Sequence, residues 1–359
     1  MRLISKSFIF SLSILVMLSS TTYSQLRSPK VIQSTTYLSK EFEVGPGEVA
    51  AKQMFDIEFP KGHVGIKSFD VDLVDEHGNF IPLYETYIHH WYILKYIIKK
   101  NTSVSHDPND HTKPYGEPIF KRNDGTCNNG ILPHQWGSGG ETRGTITKLP
   151  YPFAVGIGNP ANITEGWEEK WLLGLLLIDT RGAKNKKICI QCRCDQFNLP
   201  EIFYNVTFGF HGKVTPEYKG FQAPRKNLAI RYNITWVNWD QHQIPVRFYL
   251  LDVTDRVRTN GSEIIHDCQS LQFQKIIVHV QKASIPMEKG GYLIYASGHA
   301  HTGIVDATLY GQDGRTLCTS TPTYGTGKEA GNAKGYLVGM SVCYPKLGST
   351  KIDDGETMR

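Results

Sequence analysis

Beyond Ser24 the sequence has no apolar run that approaches the roughly 18 residues a bilayer-spanning helix needs. It has no Lys/Arg block and no basic helix, and a formal charge of +5 over 359 residues leaves no electrostatic footprint for nucleic acid. No Gly-x-Ser-x-Gly elbow occurs, which removes that route to a serine nucleophile. Gly325-Thr326-Gly327-Lys328 lacks the spacing of a phosphate loop and any following helix, so it reads as a glycine turn. Glu168-Glu169 reads as a solvated turn rather than a catalytic carboxylate pair. Repeats and low-complexity segments are absent, and helical periodicity is scarce.

What remains is β pattern. Short runs rich in Val, Ile, Tyr, Phe and Thr recur between Gly, Pro, Asn and Asp clusters, the signature of sandwiches and barrels. In Lys67–Asp75, Phe69, Val71 and Leu73 alternate with Ser68, Asp70 and Asp72. Glu85 to Ile98 is apolar on both faces and reads as a central strand. Trp171–Asp179, Leu228–Trp239, Val246–Val253, Gln274–Gln281, Gly291–Ala296 and Asp306–Tyr310 read as further strands. Asn101–Pro150 reads as long loops with one or two strands, and Gly348–Arg359 as a polar tail. The length suggests about two domains, and a hydrophobic content of 40% is enough for real cores. A split near 200–225 fits both: residues 25–210 and 211–359, each an all-β sandwich with little helix.

The first 24 residues set the compartment. Arg2 and Lys6 precede an apolar run from Phe8 to Leu18, and Thr22-Tyr23-Ser24 offers small residues before Gln25. This is a signal-peptide pattern, residues 1–24, too short and wrongly flanked for an anchor. Five Asn-x-Ser/Thr triplets, at Asn101, Asn162, Asn205, Asn233 and Asn260, then become candidate glycosylation sites. Seven cysteines, Cys127, Cys189, Cys192, Cys194, Cys268, Cys318 and Cys343, read as disulfide candidates in that compartment. Cys189-x-x-Cys192-x-Cys194 has only three local thiols, so zinc is the weaker reading and pairing to distant cysteines the stronger. Seven is odd, which leaves one thiol free or bonded to another chain.

Two histidine pairs carry the sharpest chemistry. His299 and His301 lie at i and i+2, which on a strand puts both on one side. Such a pair can bind one metal ion, and imidazole suits copper, zinc, iron and nickel. The alternative is two rings at a strand end that meet solvent or a hydrogen bond. His89 and His90 are adjacent and should point to opposite faces, so they share an ion only if the strand bulges there. The isolated histidines lack partners at ligand spacing. His134, in a glycine-rich loop, stands out among them.

Several motifs together resemble the plant family called stress up-regulated nodulin 19. They are Tyr87-Ile-His-His-Trp91, Gly140-Glu-Thr-Arg143, Glu168-Glu-Lys-Trp171, Ile178-Asp-Thr-Arg-Gly182, Cys192-Arg-Cys194, Leu309-Tyr-Gly-Gln-Asp-Gly314, Gly327-Lys-Glu-Ala-Gly-Asn332 and Gly339-Met-Ser-Val-Cys-Tyr-Pro345. The match runs from about residue 28 to the end. More distantly, that family is similar to ascorbate-dependent type II copper monooxygenases. Those have two jelly-roll domains, each with one copper, facing each other across a solvent gap.

The resemblance implies two tandem jelly-roll-like domains. It implies His89 and His90 on an electron-transfer copper and His299 and His301 on an oxygen-activating copper. Leu176 stands where a third histidine of the first site is expected. The methionine of the second site is expected in a strand after Asp354–Thr357, which this sequence does not reach; Met340 and Met358 do not match it. The C-terminal domain is therefore expected to lack its last strand. Three functions follow from the resemblance. One is a secreted, glycosylated, stress-related protein of the apoplast or secretory pathway with a binding or structural role and no catalysis. The second is a copper monooxygenase acting on a small or peptide substrate. The third is a copper-binding protein using only the histidine pairs. The missing ligands favour the first, because two imidazoles alone hold an ion weakly.

Overall fold

The computed structural model describes residues 13–19, 31–102, 104–107, 110–115, 118–121, 131–132, 134–182, 223–253, 280 and 282–359. Among them the regular structure is β-strand, with only two 3₁₀ turns, Thr142–Gly144 and Pro160–Asn162. Among the described residues no helix is long and apolar enough to cross a membrane.

Three larger sheets build the fold. The first runs Trp136–Ser138, Thr86–Lys99, Trp167–Asp179 and Val49–Phe55, all antiparallel, with Ile119–Lys121 also on Thr86–Lys99. Thr86–Lys99 is interior, as its two apolar faces require. The second sheet runs Ile244–Pro245, Phe153–Ile157, Val64–Asp75, Lys226–Asn238 and Gln33–Leu38. Phe69, Val71 and Leu73 are buried as the alternation predicts, while Asp70 is exposed.

The buried faces of these sheets meet as a sandwich rich in rings. Phe59 stacks on Trp171 with centroids 4.2 Å apart, and Phe69 lies between Trp91 at 5.6 Å and Tyr232 at 5.7 Å. Aromatic pairs at such spacings add about 0.5–1.5 kcal/mol each beyond area burial.

The third sheet runs Ile131–Leu132, Arg247–Asp252, Ser13–Ser19, Gly291–His299 and Val342–Cys343. Its strand Arg247–Asp252 is buried on both faces from Phe248 onward, and the strand period of two shows how. Phe248 and Leu250 join the sandwich core. Tyr249 and Leu251 join a second cluster with Ile285, Met287, Leu309, Leu317 and Met358.

Strands from both sides of residue 210 share sheets. Lys226–Asn238 pairs with Val64–Asp75, and Ile131–Leu132 pairs with Arg247–Asp252. Ser13–Ser19, inside the segment read as a leader, sits between Arg247–Asp252 and Gly291–His299. A chain beginning at Gln25 lacks that strand.

Three details differ from expectation. Glu168 and Glu169 lie within the strand Trp167–Asp179, not on a turn, and Glu169 pairs with Lys95 at 3.5 Å. The polar tail is packed: Thr357–Met358 pairs with Ile285–Pro286, and Met358 is fully buried. Asn101–Pro150 holds more strand than expected, including Trp136–Ser138, which edges the first sheet.

Cys318 and Cys343 form a disulfide, so neither is a partner for the Cys189–Cys194 cluster. Seven cysteines less these two leaves five, still an odd number. Cys127, Cys189, Cys192, Cys194 and Cys268 lie outside the described residues, as do Asn205, Asn260 and nearly all of Gln274–Gln281.

Candidate metal centre

The strands Thr86–Lys99 and Trp167–Asp179 pair residue by residue with one slip. His90 faces Leu176, while Ile88 faces Leu177. His89 is therefore the extra residue of a β-bulge, the device that re-aims a side chain and increases local twist. The bulge removes the objection that adjacent strand residues face opposite ways. The rings of His89 and His90 have centroids 4.3 Å apart, and their Nδ1 atoms are 3.1 Å apart. That contact is a hydrogen bond if one ring carries its proton on Nδ1. The same separation suits two nitrogens sharing an ion.

The second pair arrives from the third sheet. His299 ends the strand Gly291–His299, and His301 follows it by two residues, with ring centroids 5.6 Å apart. The two pairs meet. His301 lies 4.1 Å from His89 and 5.2 Å from His90, and His299 lies 5.0 Å from His90, all between ring centroids. One nitrogen from each of His89, His90 and His301 falls within 4.8 Å of the others. Metal–imidazole bonds of about 2.0–2.1 Å place nitrogens of a tetrahedral site roughly 3.4 Å apart, so closure needs a shift of no more than about 1.4 Å. His89, His299 and His301 are buried and His90 is half-buried. The arrangement is one shared cluster, unlike the two sites across a gap that the copper-monooxygenase resemblance implies.

A carboxylate completes the cluster. Glu141, fully buried, pairs through Oε1 with His299 Nδ1 and accepts a 2.8 Å hydrogen bond from Ser138 Oγ. Burial alone raises the pKa of such a group. The facing His299 charge and the hydrogen bonds from His299 and Ser138 outweigh burial and hold Glu141 below the usual carboxylate range. With its Nδ1 engaged, His299 has Nε2 left for a ligand. That atom is buried and has no hydrogen-bond partner, and neither do Glu141 Oε2, Thr142 Oγ1 and the Tyr87 hydroxyl. Buried orphan polar atoms are rare in native structures and call for an ion or a water. The Tyr87 ring lies edge-on to His89 and His301, 6.4 and 6.1 Å away. Burial, then the Glu141 charge, holds its hydroxyl pKa well above 10.

Glycine makes the junction between the halves close. A Cβ on Gly139 would come 2.6 Å from the His89 carbonyl oxygen and 2.7 Å from His299 Cε1. Gly140 is packed the same way against Tyr87, 2.9 Å from its ring edge. Gly139-Gly140-Glu141 thus threads between the two histidine pairs. Glu141 was not singled out as a site residue from sequence; the signal was its place in Gly140-Glu-Thr-Arg143.

A fifth imidazole stands behind His90. His134 stacks on Tyr92 at 4.3 Å, and burial followed by the His90 charge pushes its pKa down to about 3. It is therefore a neutral ring at physiological pH. Leu176, opposite His90, supplies no ligand atom. Met340 packs its methyl against Gly298, next to His299, while Met358 lies in the separate cluster under the third sheet. The cavity that touches His299 has a volume of about 30 Å³, room for one or two waters. Organic ligands need roughly 300–1,000 Å³.

The sequons divide by setting. Asn101 and Asn162 are exposed on turns. Asn233 is half-buried within a strand, and its side-chain oxygen accepts from Ser34 Oγ at 2.9 Å.

A family model described as stress up-regulated Nod 19 matches residues 30–359. No curated protein and no solved structure matches the chain.

Proposed function

The chain belongs to the stress up-regulated Nod 19 family, and from that premise we propose a secreted, N-glycosylated protein that binds one copper ion. His89, His90 and His301 would hold the ion, and His299, oriented by Glu141, would be the fourth ligand. The observation that carries this reading is the convergence of three imidazoles from two sheets, His89, His90 and His301, with the His299 ring 5.0 Å from that of His90. Imidazole suits several first-row metals, and Cu(II) stands highest in their order of affinity. A carboxylate on the far nitrogen of a ligating histidine fixes its tautomer and orientation, as Glu141 does for His299. A bound copper would supply a redox-active, Lewis-acidic centre. The small cavity beside His299 favours holding an ion over turning over an organic substrate. Delivery to the apoplast or secretory pathway is supported by the leader pattern, the sequons and the Cys318–Cys343 disulfide.

The test is protein expressed by secretion, stripped with chelator and titrated with Cu(II). One ion per chain is expected, with nitrogen hyperfine structure in its electron paramagnetic resonance spectrum. His89→Ala and His301→Ala should each weaken binding at least tenfold. Absence of copper binding, or binding indifferent to both substitutions, would remove the reading. Two ions per chain with ascorbate-dependent oxygen uptake would favour the monooxygenase instead.

A further inference from the structure

Away from the histidines, the second sheet carries a buried cation with no counter-ion. Lys67 sits in the interior of Val64–Asp75 and is only 4% exposed. Its ammonium donates to two carbonyl oxygens, those of Pro150, at 3.0 Å, and Phe153. An ammonium has three donors, so one is left over. Among the described residues no carboxylate pairs with Lys67. Desolvating an ammonium is unfavourable unless a partner offsets it.

The same lysine lines a cavity of about 480 Å³. This volume falls within the range of small-molecule sites and is far larger than the cavity beside His299. Its walls are mostly apolar, with Ile32, Ile146, Val237 and Tyr344 among them. Among the described residues the charged groups that line it are Lys67 and Lys148, and no aspartate or glutamate does so. Three of the apolar residues are also well exposed: Ile146 by 59%, Ile32 by 48% and Tyr344 by 44%. Tyr344 is held in place by a 2.6 Å hydrogen bond from its hydroxyl to the Lys148 carbonyl. Burial, then the Lys148 charge, pushes the Lys67 ammonium down to about 8, the direction expected of a cation beside another cation.

We propose that this cavity is a binding site for a small organic monocarboxylate with an apolar, ring-sized body. The carboxylate takes the spare Lys67 donor and the Lys148 charge, and the body lies against Ile32, Ile146, Val237 and Tyr344. A carboxylate fits better than a phosphate because the walls offer two cations and few other donors around a mostly apolar space. The site is independent of copper and shares no residue with the histidine cluster.

The experiment is calorimetric titration of the secreted protein with naphthalene-2-carboxylate, with naphthalene-2-methanol as the neutral analogue and inorganic phosphate as the bare anion. Saturable one-to-one binding of the carboxylate is expected, at least tenfold tighter than the alcohol and with phosphate weaker still. Lys67→Met should weaken carboxylate binding at least tenfold. Lys148→Gln, a change at an exposed side chain, should weaken it severalfold and leave the fold intact. Both substitutions should leave the alcohol unaffected. Equal binding of alcohol and carboxylate, tighter binding of phosphate, no effect of Lys148→Gln, or no saturable binding would each overturn the proposal. His301→Ala should leave carboxylate binding unchanged, which separates this outcome from failure of the copper reading.

Discussion

Glu141 and His299 pair side chain to side chain across 158 residues of sequence. That contact joins the glycine-rich segment after Trp136–Ser138 to the last residue of a strand in the third sheet. The glutamate is fully buried and has no cation other than the imidazole to offset it in that contact. Removing the carboxylate should leave His299 without its orienting partner. Glu141→Ala is expected to lower Cu(II) affinity about 10–100-fold, the usual cost of losing such a supporting group. Glu141→Gln, which keeps an acceptor oxygen but not the charge, should fall between that variant and the parent protein in the same titration.

Gly139 tests the junction sterically. Its missing Cβ is the space in which the His299 ring meets the His89 carbonyl. Gly139→Ala forces one of them to move, and overpacking of this kind costs about 1–3 kcal/mol. The expected outcome is a lowered melting temperature together with Cu(II) binding at least tenfold weaker. Gly166→Ala is the comparison: Gly166 has open space around its missing Cβ but a φ of 80°. It should lower stability through backbone strain without touching copper affinity.

The all-β class, the interior place of Thr86–Lys99 and the buried set Phe69, Val71 and Leu73 were legible because strand periodicity is local. His299 and His301 were legible as residue types at ligand spacing, and His89 and His90 only on the condition that their strand bulges. Their meeting was not. His89 turns toward His90 because the pairing with Trp167–Asp179 slips between Leu176 and Leu177, and a slip is a property of two strands. Glu141 was hidden for a similar reason: a lone glutamate in a loop looks solvated until the third sheet closes over it. Lys67 read as one more polar residue at the start of an alternating run. The polar composition of Gly348–Arg359 masked two short strands, Lys351–Ile352 and Thr357–Met358, each anchored by one buried apolar residue, Ile352 and Met358.

Asn101 and Asn162 should carry glycans and Asn233 should not. The first two are exposed on turns, where a transferase can reach the amide. Asn233 lies in Lys226–Asn238, between Gln33–Leu38 and Val64–Asp75, with its side-chain oxygen engaged. Peptide mapping of the secreted protein after glycosidase treatment in heavy-oxygen water checks all three. The same digest reports the N-terminus, for which cleavage before Gln25 is expected. An intact N-terminus at Met1 would instead keep Ser13–Ser19 in the third sheet and remove the secretion reading.

Lys67 makes stability depend on pH with a definite sign. Its folded pKa, about 8, lies below the usual 10.5, because burial disfavours the charged form. Above pH 8 the folded chain has shed this proton while the unfolded chain still holds it. Stability from this group therefore rises with pH across that window, and the burial penalty is fully present below it. Each tenfold change in proton affinity is worth about 1.4 kcal/mol, so the gain between pH 7 and 9.5 is about 2 kcal/mol. Urea unfolding of the parent protein and Lys67→Met at both pH values isolates it, since other titrating groups cancel in the difference. The parent should gain about 2 kcal/mol on the variant as pH rises. A carboxylate bound beside Lys67 holds the ammonium charged, raises its folded pKa and flattens that gain. Saturating naphthalene-2-carboxylate should therefore stabilise the protein more at pH 7 than at pH 9.5, and naphthalene-2-methanol should show no such difference.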